Sequence, residues 1–207
     1  TMLFFTAKGR CYWLRVYEIE EGTRQSKGRA IQNMLNIEPD DRINACLHIR
    51  KLKDETFCEN HYVVFATQRG VVKKTRLTEY SRPRTNGVNA ININEDDRVV
   101  SVVLTNGTDE LVMANKNGRA IRFNESVVRT MGRNATGVRG MVLDNEADEI
   151  VGMVCVNDAE RESILVVSEQ GYGKRSAIDD YRVTNRGGKG VRTLNITDKT
   201  GNVVAIK

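Results

Sequence analysis

Proline is nearly missing from this 207-residue chain. Only Pro39 and Pro83 occur, beside 17 glycines, which excludes collagen-like and proline-rich low-complexity classes. Apolar runs are short, and none approaches the roughly 18 residues of a membrane-crossing helix. The opening Thr1-Met2-Leu3-Phe4-Phe5-Thr6 has no basic lead-in and too brief an apolar stretch for a secretory leader, so no membrane partner is expected. Cys11, Cys46, Cys58 and Cys155 lie at spacings of 35, 12 and 97, which lays out no disulfide framework. The reading is reduced thiols and a cytoplasmic location. Aromatics are 6% of the chain with a single tryptophan, too sparse to interleave with the charges as base-stacking platforms.

Catalytic patterns are also lacking. His48 and His61 sit in one linker region and leave little for a triad, and there is no Gly-x-Ser-x-Gly elbow. Gly132 and Gly137 are spaced as in a phosphate-binding loop, but Val138-Arg139 stand where that loop needs Lys-Ser/Thr. No catalytic residue and no cofactor is expected in this segment. Cys46-x-His48 and Cys58-x-x-His61 carry the ligand types of a zinc site. No other repeat has a counterpart, so no metal is expected.

What the chain does have is repetition. Four units align, at approximately 1–47, 62–104, 111–156 and 164–207 of a single repeat domain. A glycine follows each opening apolar run: Gly9, Gly70, Gly118 and Gly171. A second glycine follows at 19, 17, 19 and 19 residues: Gly28, Gly87, Gly137 and Gly190. Ten residues after the first glycine stands an apolar or aromatic residue, Ile19, Tyr80, Val128 or Tyr181, read as a packing position. Each opening pair of apolar runs is joined by X-Gly, a tight-hairpin signature. A third strand is expected after the second glycine (Asn89–Ile93, Gly140–Leu143). An acidic turn and a fourth apolar strand follow: Ile43–Leu47, Val99–Leu104, Ile150–Val156 and Val203–Ile206. The pattern predicts an all-β, propeller-like array of four-stranded blades. Helical periodicity is not sustained, and its best stretch, Asn124–Met131, is too short. The chain opens at strand one of a unit and closes at strand four of another, as expected for a stretch of a longer array.

The net charge of +5 conceals a segregation. Residues 10–28, 71–87, 119–137 and 172–190 hold 18 Lys/Arg against 7 Asp/Glu, a net +11, whereas the remainder nets −6. Equivalent positions of stacked blades share one rim, so these cations are expected to form a band. Such a band suits a duplex backbone, where affinity comes from neutralising successive phosphates. The candidates are Arg10, Arg24 and Lys27 in the first unit, and Lys73, Lys74, Arg76, Arg82 and Arg84 in the second. The third unit supplies Arg119, Arg122, Arg129 and Arg133, and the fourth Lys174, Arg175, Arg182, Arg186 and Lys189. Arg29, Arg139 and Arg192, just past the second glycine, extend the track. Arg186, Lys189 and the pairs Lys73/Lys74 and Lys174/Arg175 stand foremost. Trp13 occupies the place of Lys74, Arg122 and Arg175 and is read as an aromatic packed on a blade edge.

Tyr17-Glu18-Ile19, Lys73-Lys74-Thr75, Thr85-Asn86-Gly87, the run Met131–Gly140 and Gln170–Arg175 carry a resemblance over essentially the whole chain. The sequence resembles the C-terminal domain of DNA gyrase A, a β-pinwheel that wraps DNA. Thr184-Asn185-Arg186-Gly187-Gly188-Lys189-Gly190 is similar to that family's basic heptapeptide at five of seven positions, so the full heptapeptide is expected outside this segment and the blades here are expected to form an open arc. The resemblance implies non-sequence-specific binding, bending and wrapping of double-stranded DNA within a type IIA topoisomerase that supercoils negatively at the expense of ATP. It implies as partners the rest of gyrase A and the gyrase B polypeptide, with ATP and magnesium bound elsewhere. Two other readings stay open: the equivalent domain of topoisomerase IV, and a protein-interaction scaffold whose basic rim serves an acidic partner.

Overall fold

A computed structural model describes residues 1–207. Each unit begins with a hairpin because two apolar runs flank an X-Gly pair. The hairpins are β1 (Met2–Thr6) with β2 (Arg10–Leu14), β4 (Tyr62–Thr67) with β5 (Val71–Arg76), β8 (Glu110–Asn115) with β9 (Arg119–Asn124), and β12 (Ser163–Ser168) with β13 (Gly173–Ala177). The turn glycines Gly9, Gly70, Gly118 and Gly171 have φ of 87°, 86°, 83° and 79°, a region closed to most side chains. Closing strands β3 (Ile43–His48), β7 (Val99–Thr105), β11 (Ile150–Val156) and β15 (Val203–Ile206) then pair antiparallel with the first strand of their own unit. A bulge interrupts all four pairings at the same register, leaving Asn44, Val100, Val151 and Val204 as the extra residue. Bulges bend and twist a strand, and here the bend recurs once per unit.

The remaining strands do not stay in their own units. β6 (Val88–Asn89) pairs with β2, β10 (Val138–Arg139) with β5, and β14 (Val191–Arg192) with β9. The sheets are therefore β3-β1-β2-β6, β7-β4-β5-β10, β11-β8-β9-β14 and β15-β12-β13, so each of the first three blades is completed by the following unit. The strand expected at Asn89–Ile93 and Gly140–Leu143 is shorter, starts earlier and lies on the neighbouring blade. The cause is the turn glycine. Gly9 O accepts from Ala90 N (2.8 Å) and Ile91 N (3.2 Å), Gly70 O from Gly140 N (2.8 Å) and Met141 N (3.2 Å), and Gly118 O from Thr193 N (2.8 Å) and Leu194 N (3.2 Å). A hairpin tip thus offers one carbonyl that anchors the incoming segment twice.

The all-β, four-stranded-blade architecture is as expected, in an unclosed arc. Consecutive closing strands lie side by side, β3 on β7, β7 on β11 and β11 on β15. The exchanged strands stand at the opposite, outer edge. The one α-helix, α1 (Glu55–Glu59), lies in the first linker, capped by Asp54 accepting from Phe57 N. Asn124–Met131 holds only a 3-10 turn, Glu125–Val127.

The core is built between blades. On β4, Val63 and Phe65 face the first blade while Val64 and Ala66 face the third; on β8, Leu111 and Met113 face back while Val112 and Ala114 face forward. Burial of both faces explains why these strands read as unbroken apolar runs. Phe5 meets Phe65 and Tyr80 edge-on, at 5.3 Å and 5.9 Å. Burial of each such ring stabilises the junction by roughly 2–3 kcal/mol. Tyr80, Val128 and Tyr181 are buried at their shared repeat position, and Ile19 is exposed.

Gly70→Ala and Gly171→Ala separate the two demands on the turn glycine. At Gly70 a Cβ would stand 2.5 Å from Met141 O, whereas nothing lies within 4 Å at Gly171. Gly171→Ala is expected to lose about 1 kcal/mol from its left-handed backbone alone. Gly70→Ala is expected to lose about 3 kcal/mol or more, since overpacking adds to that strain. Urea denaturation of both variants measures the difference.

Candidate nucleic-acid interface

After β5, β9 and β13 the chain makes a 3-10 turn, at Leu77–Tyr80, Glu125–Val127 and Ile178–Asp180. It then crosses to the outer edge of the preceding blade and delivers the exchanged strand. These crossings, here called straps, are the basic loops. They lie flat on the blade they cross: Met131 N donates to Lys74 O (2.8 Å) and Thr184 N to Arg122 O (2.9 Å). The second glycines Gly87, Gly137 and Gly190 have φ of 67°, 110° and 72°. A Cβ at Gly137 would be 2.7 Å from Val72 O, so only glycine passes there. Successive straps touch, through Asn92 N to Ala135 O (3.1 Å) and Val142 N to Gly188 O (2.9 Å). Together they make one ribbon along the outer rim.

Arg24, Lys27, Arg82, Arg84, Arg129, Arg139, Lys174, Arg175 and Arg182 are exposed and unpaired. Four more spend one or two N–H groups on neutral oxygens and keep their charge: Arg10 on Asn86 O (2.7 Å), Arg76 on Glu59 O (3.0 Å), Arg186 on Val127 O and Arg139 O (3.0 Å each), and Arg192 on Asn195 Oδ1 (3.4 Å). Arg29 pairs with Glu20 (2.6 Å), Arg133 with Glu79 (3.4 Å), and Arg119 and Lys189 with Asp144 (3.4 and 3.9 Å). Such surface pairs are worth about 1 kcal/mol or less and are screened by salt, so a phosphate can displace them.

Asp144 apart, the acidic turns do not neutralise the rim, because the aspartate two residues before each of the first three closing strands is engaged at a hairpin tip. Asp41 accepts from Lys8 N and Arg42 N, Asp97 from Arg69 N and Arg98 N, and Asp148 from Asn117 N, Glu149 N and Asn115 Nδ2. In the fourth unit Glu169 holds Asn202 N instead. Sequence reasoning missed this role for the aspartates, although their constant register just before each closing strand marked it.

Lys73, Lys74 and Arg122 are not on the surface. They are 0%, 6% and 7% exposed and belong to the blade junctions, which removes them from the track. Lys73 Nζ donates to Ala90 O (2.6 Å) and Arg133 O (2.7 Å), tying the second blade's β5 to its own unit's strap and to the next. Burial, aided by Arg133, lowers its pKa to about 7. Lys74 Nζ donates to Glu125 O (3.1 Å) and lies 3.4 Å from the Glu125 carboxylate. That carboxylate is itself satisfied by Thr105 Oγ1, Gly107 N and Asp109 N. Arg122 pairs with Glu110 (2.6 Å) and donates to Ile178 O and Tyr181 O (3.0 Å each). Trp13, at the same repeat position, donates Nε1–H to Tyr80 O (2.9 Å) and packs on the first core, as its edge-packing reading required. One position per unit therefore clamps the next unit's 3-10 turn and aims the strap that leaves it. Arg175, its fourth member, is exposed.

The zinc-type residues are not brought together. Cys58 is buried with Sγ against Leu52 O (3.3 Å), His61 stacks on Phe57, and Cys46 and His48 are exposed on β3.

A family model described as DNA gyrase C-terminal domain, beta-propeller, matches residues 1–50, 61–106, 109–157 and 162–207. The DNA gyrase A polypeptide of Staphylococcus aureus (strain MRSA252) is 44% identical over 205 residues, covering 99% of this chain and 23% of that protein. The chain thus spans under a quarter of the length of the curated relatives it matches. The solved C-terminal domain of DNA topoisomerase IV superposes with a TM-score of 0.85 at 32% identity, covering 100% of this chain and 62% of that one. A DNA gyrase A C-terminal domain superposes with a TM-score of 0.82 at 27% identity, covering 98% and 63%.

Removing the clamp and its exposed counterpart should give opposite results. Arg122→Met is expected to cost about 3 kcal/mol, because Glu110 loses its partner and two carbonyls lose a donor. Arg175→Met should leave thermal and urea midpoints unchanged. Lys73 predicts a pH signature. Below pH about 7 both folded and unfolded chains carry its proton and the burial penalty is full. Between there and the ordinary lysine range only the unfolded chain holds it, so stability rises with pH. Comparison with Lys73→Met in urea titrations at pH 6 to 10, roughly that window, should show this increment in the natural protein alone.

Proposed function

The chain belongs to the DNA gyrase C-terminal domain family, and on that premise we propose that its strap ribbon binds and bends double-stranded DNA without sequence preference. One observation carries the reading: the rim cations of three consecutive units face solvent while the nearby aspartates are held at hairpin tips. Phosphates following that rim meet a new set of guanidinium and ammonium groups at each blade, and their capture releases counterions. The straps hold no aromatic platform and present no inserted reading element to a groove, so recognition is of shape and bendability. A duplex that follows the outside of an arc must curve with it.

In this reading the segment serves a gyrase: it holds DNA for a type IIA topoisomerase whose cleavage tyrosine, ATP and magnesium sites lie in other parts of the assembly. The rest of gyrase A and the gyrase B polypeptide are its partners, in the cytoplasm. This chain's own residues bind and orient DNA and do no chemistry. The 44% identity to a DNA gyrase A favours gyrase over topoisomerase IV.

Arg129 and Arg182 occupy the same repeat position on two straps. The double reversal Arg129→Glu/Arg182→Glu should weaken binding to two unrelated duplexes equally. It should also flatten the log–log salt dependence by about 0.9 for each phosphate no longer neutralised. Fluorescence anisotropy across a potassium chloride series measures both. An unchanged affinity, or a loss confined to one sequence, overturns the reading.

A further inference from the structure

Lys73 is the only buried cation without a carboxylate partner. Lys74 and Arg122 lie against Glu125 and Glu110, whereas Lys73 forms no ion pair. Its Nζ meets two carbonyl oxygens, Ala90 O at the end of the second strap and Arg133 O within the third. A neutral amine has two N–H groups and fills both acceptors. An ammonium brings a third N–H, and the Phe65 ring at 5.5 Å is its remaining neighbour of negative character. Few charged groups face this amine. Arg133, whose carbonyl it binds, opposes its proton, and Glu79, paired with Arg133 at 3.4 Å, favours it. Tyr80 donates to the same Ala90 oxygen (3.1 Å), and burial holds both that hydroxyl and the Cys11 thiol protonated. The Lys74–Glu125 pair lies across β5 on its other face. With burial as the largest influence, the Lys73 pKa falls to about 7.

We infer that Lys73 is a proton-coupled positioning residue beneath the rim: a duplex captured by Arg133 draws a proton from solvent onto the buried amine, and that proton strengthens the hold on the duplex. The inference rests on the DNA-binding reading above. In the free chain the Arg133 guanidinium is an unfavourable like charge beside Lys73, offset only in part by Glu79. A phosphate seated on Arg133 adds negative charge at that place, so the ammonium gains on the amine. The coupling is reciprocal: the factor by which DNA raises proton affinity is the factor by which the proton raises DNA affinity. The sign follows from this. Below pH about 7 the amine is charged in free and bound chains alike, and Lys73 adds no pH dependence. Above it, binding has to bring the proton in, so affinity falls as pH rises until the bound chain releases it too. Because the amine is buried, salt screens this coupling less than it screens the exposed rim.

The test compares the natural chain with Lys73→Arg, which keeps N–H donors in place and never loses its charge. Binding of a labelled duplex is read by anisotropy between about pH 6 and pH 9, after thermal melts show both chains folded. Across that range the natural chain should lose about threefold more affinity than Lys73→Arg, the change that a half-unit rise in the lysine's pKa on binding produces. The amino terminus, His48 and His61 are common to both chains and cancel in the comparison. A second measurement needs no substitution at Lys73. In NMR spectra of carbon-13-labelled lysine side chains, one signal of the free chain should titrate at about pH 7, and saturating duplex should move its midpoint upward. Arg133→Met should raise that midpoint in the free chain and remove most of the further rise on binding. Equal pH dependence in both chains, a lysine midpoint that duplex leaves unmoved, or a rise that survives loss of Arg133 overturns the inference while leaving DNA binding intact. Absence of salt-dependent duplex binding by the natural chain overturns the DNA-binding reading, and the inference with it.

Discussion

Two hydrogen bonds into one glycine carbonyl organise this molecule. At Gly9, Gly70 and Gly118 a left-handed turn residue with no side chain points its C=O outward, and the following unit delivers two N–H groups to it. Backbone polar groups must be paired when buried, so this acceptor fixes where the incoming chain docks. The docking places a short strand on the neighbouring blade, lays the strap along the outer rim and closes the apolar junction beneath. An isolated three-stranded blade would leave both faces of a strand such as β4 in water. Exchange makes each blade a part of the next one's core.

The same arrangement sorts the basic residues by function. A lysine or arginine four residues past the turn glycine lies under the 3-10 turn of the next unit, where bare carbonyls need donors. There Lys74 and Arg122 serve as long polar clamps, and Trp13 does the same with an indole N–H. A cation further along, past the turn, rides on the strap, where Arg82, Arg84, Arg129 and Arg182 meet only solvent. Charge that is equivalent in composition is thus divided between holding the array together and presenting a field. Desolvation separates the two populations energetically: Lys73 loses proton affinity in its buried site, while Arg129 and Arg182 remain hydrated.

Much of this was legible beforehand. The spacing of paired glycines marked the units, the X-Gly pairs marked the hairpins, and the short Val/Ile/Leu runs marked the strands. The excess of cations between the two glycines marked the straps as the functional segment. Two features were not legible. Val88–Asn89 looks the same whether it pairs within its unit or with the previous one, because a repeat is unchanged by shifting one strand along the array. The Lys73-Lys74 pair looked like a surface patch, since adjacent residues on a strand ordinarily put one face toward water. On β5 both faces are covered, one by the segment exchanged onto the first blade and one by the third unit's turn.

The amino-acid sequence by itself determined the local geometry: where the chain reverses, which stretches are extended, and which segment of each unit is rich in positive charge. These depend on backbone freedom and side-chain chemistry within a few residues. Tertiary structure alone decided which unit completes which blade, which lysines are clamps and which arginines are free, and that the acidic turns cap hairpins and leave the rim charged. Those outcomes depend on what a neighbouring unit brings to within hydrogen-bonding distance, and pairing of that kind is settled only when the blades come together.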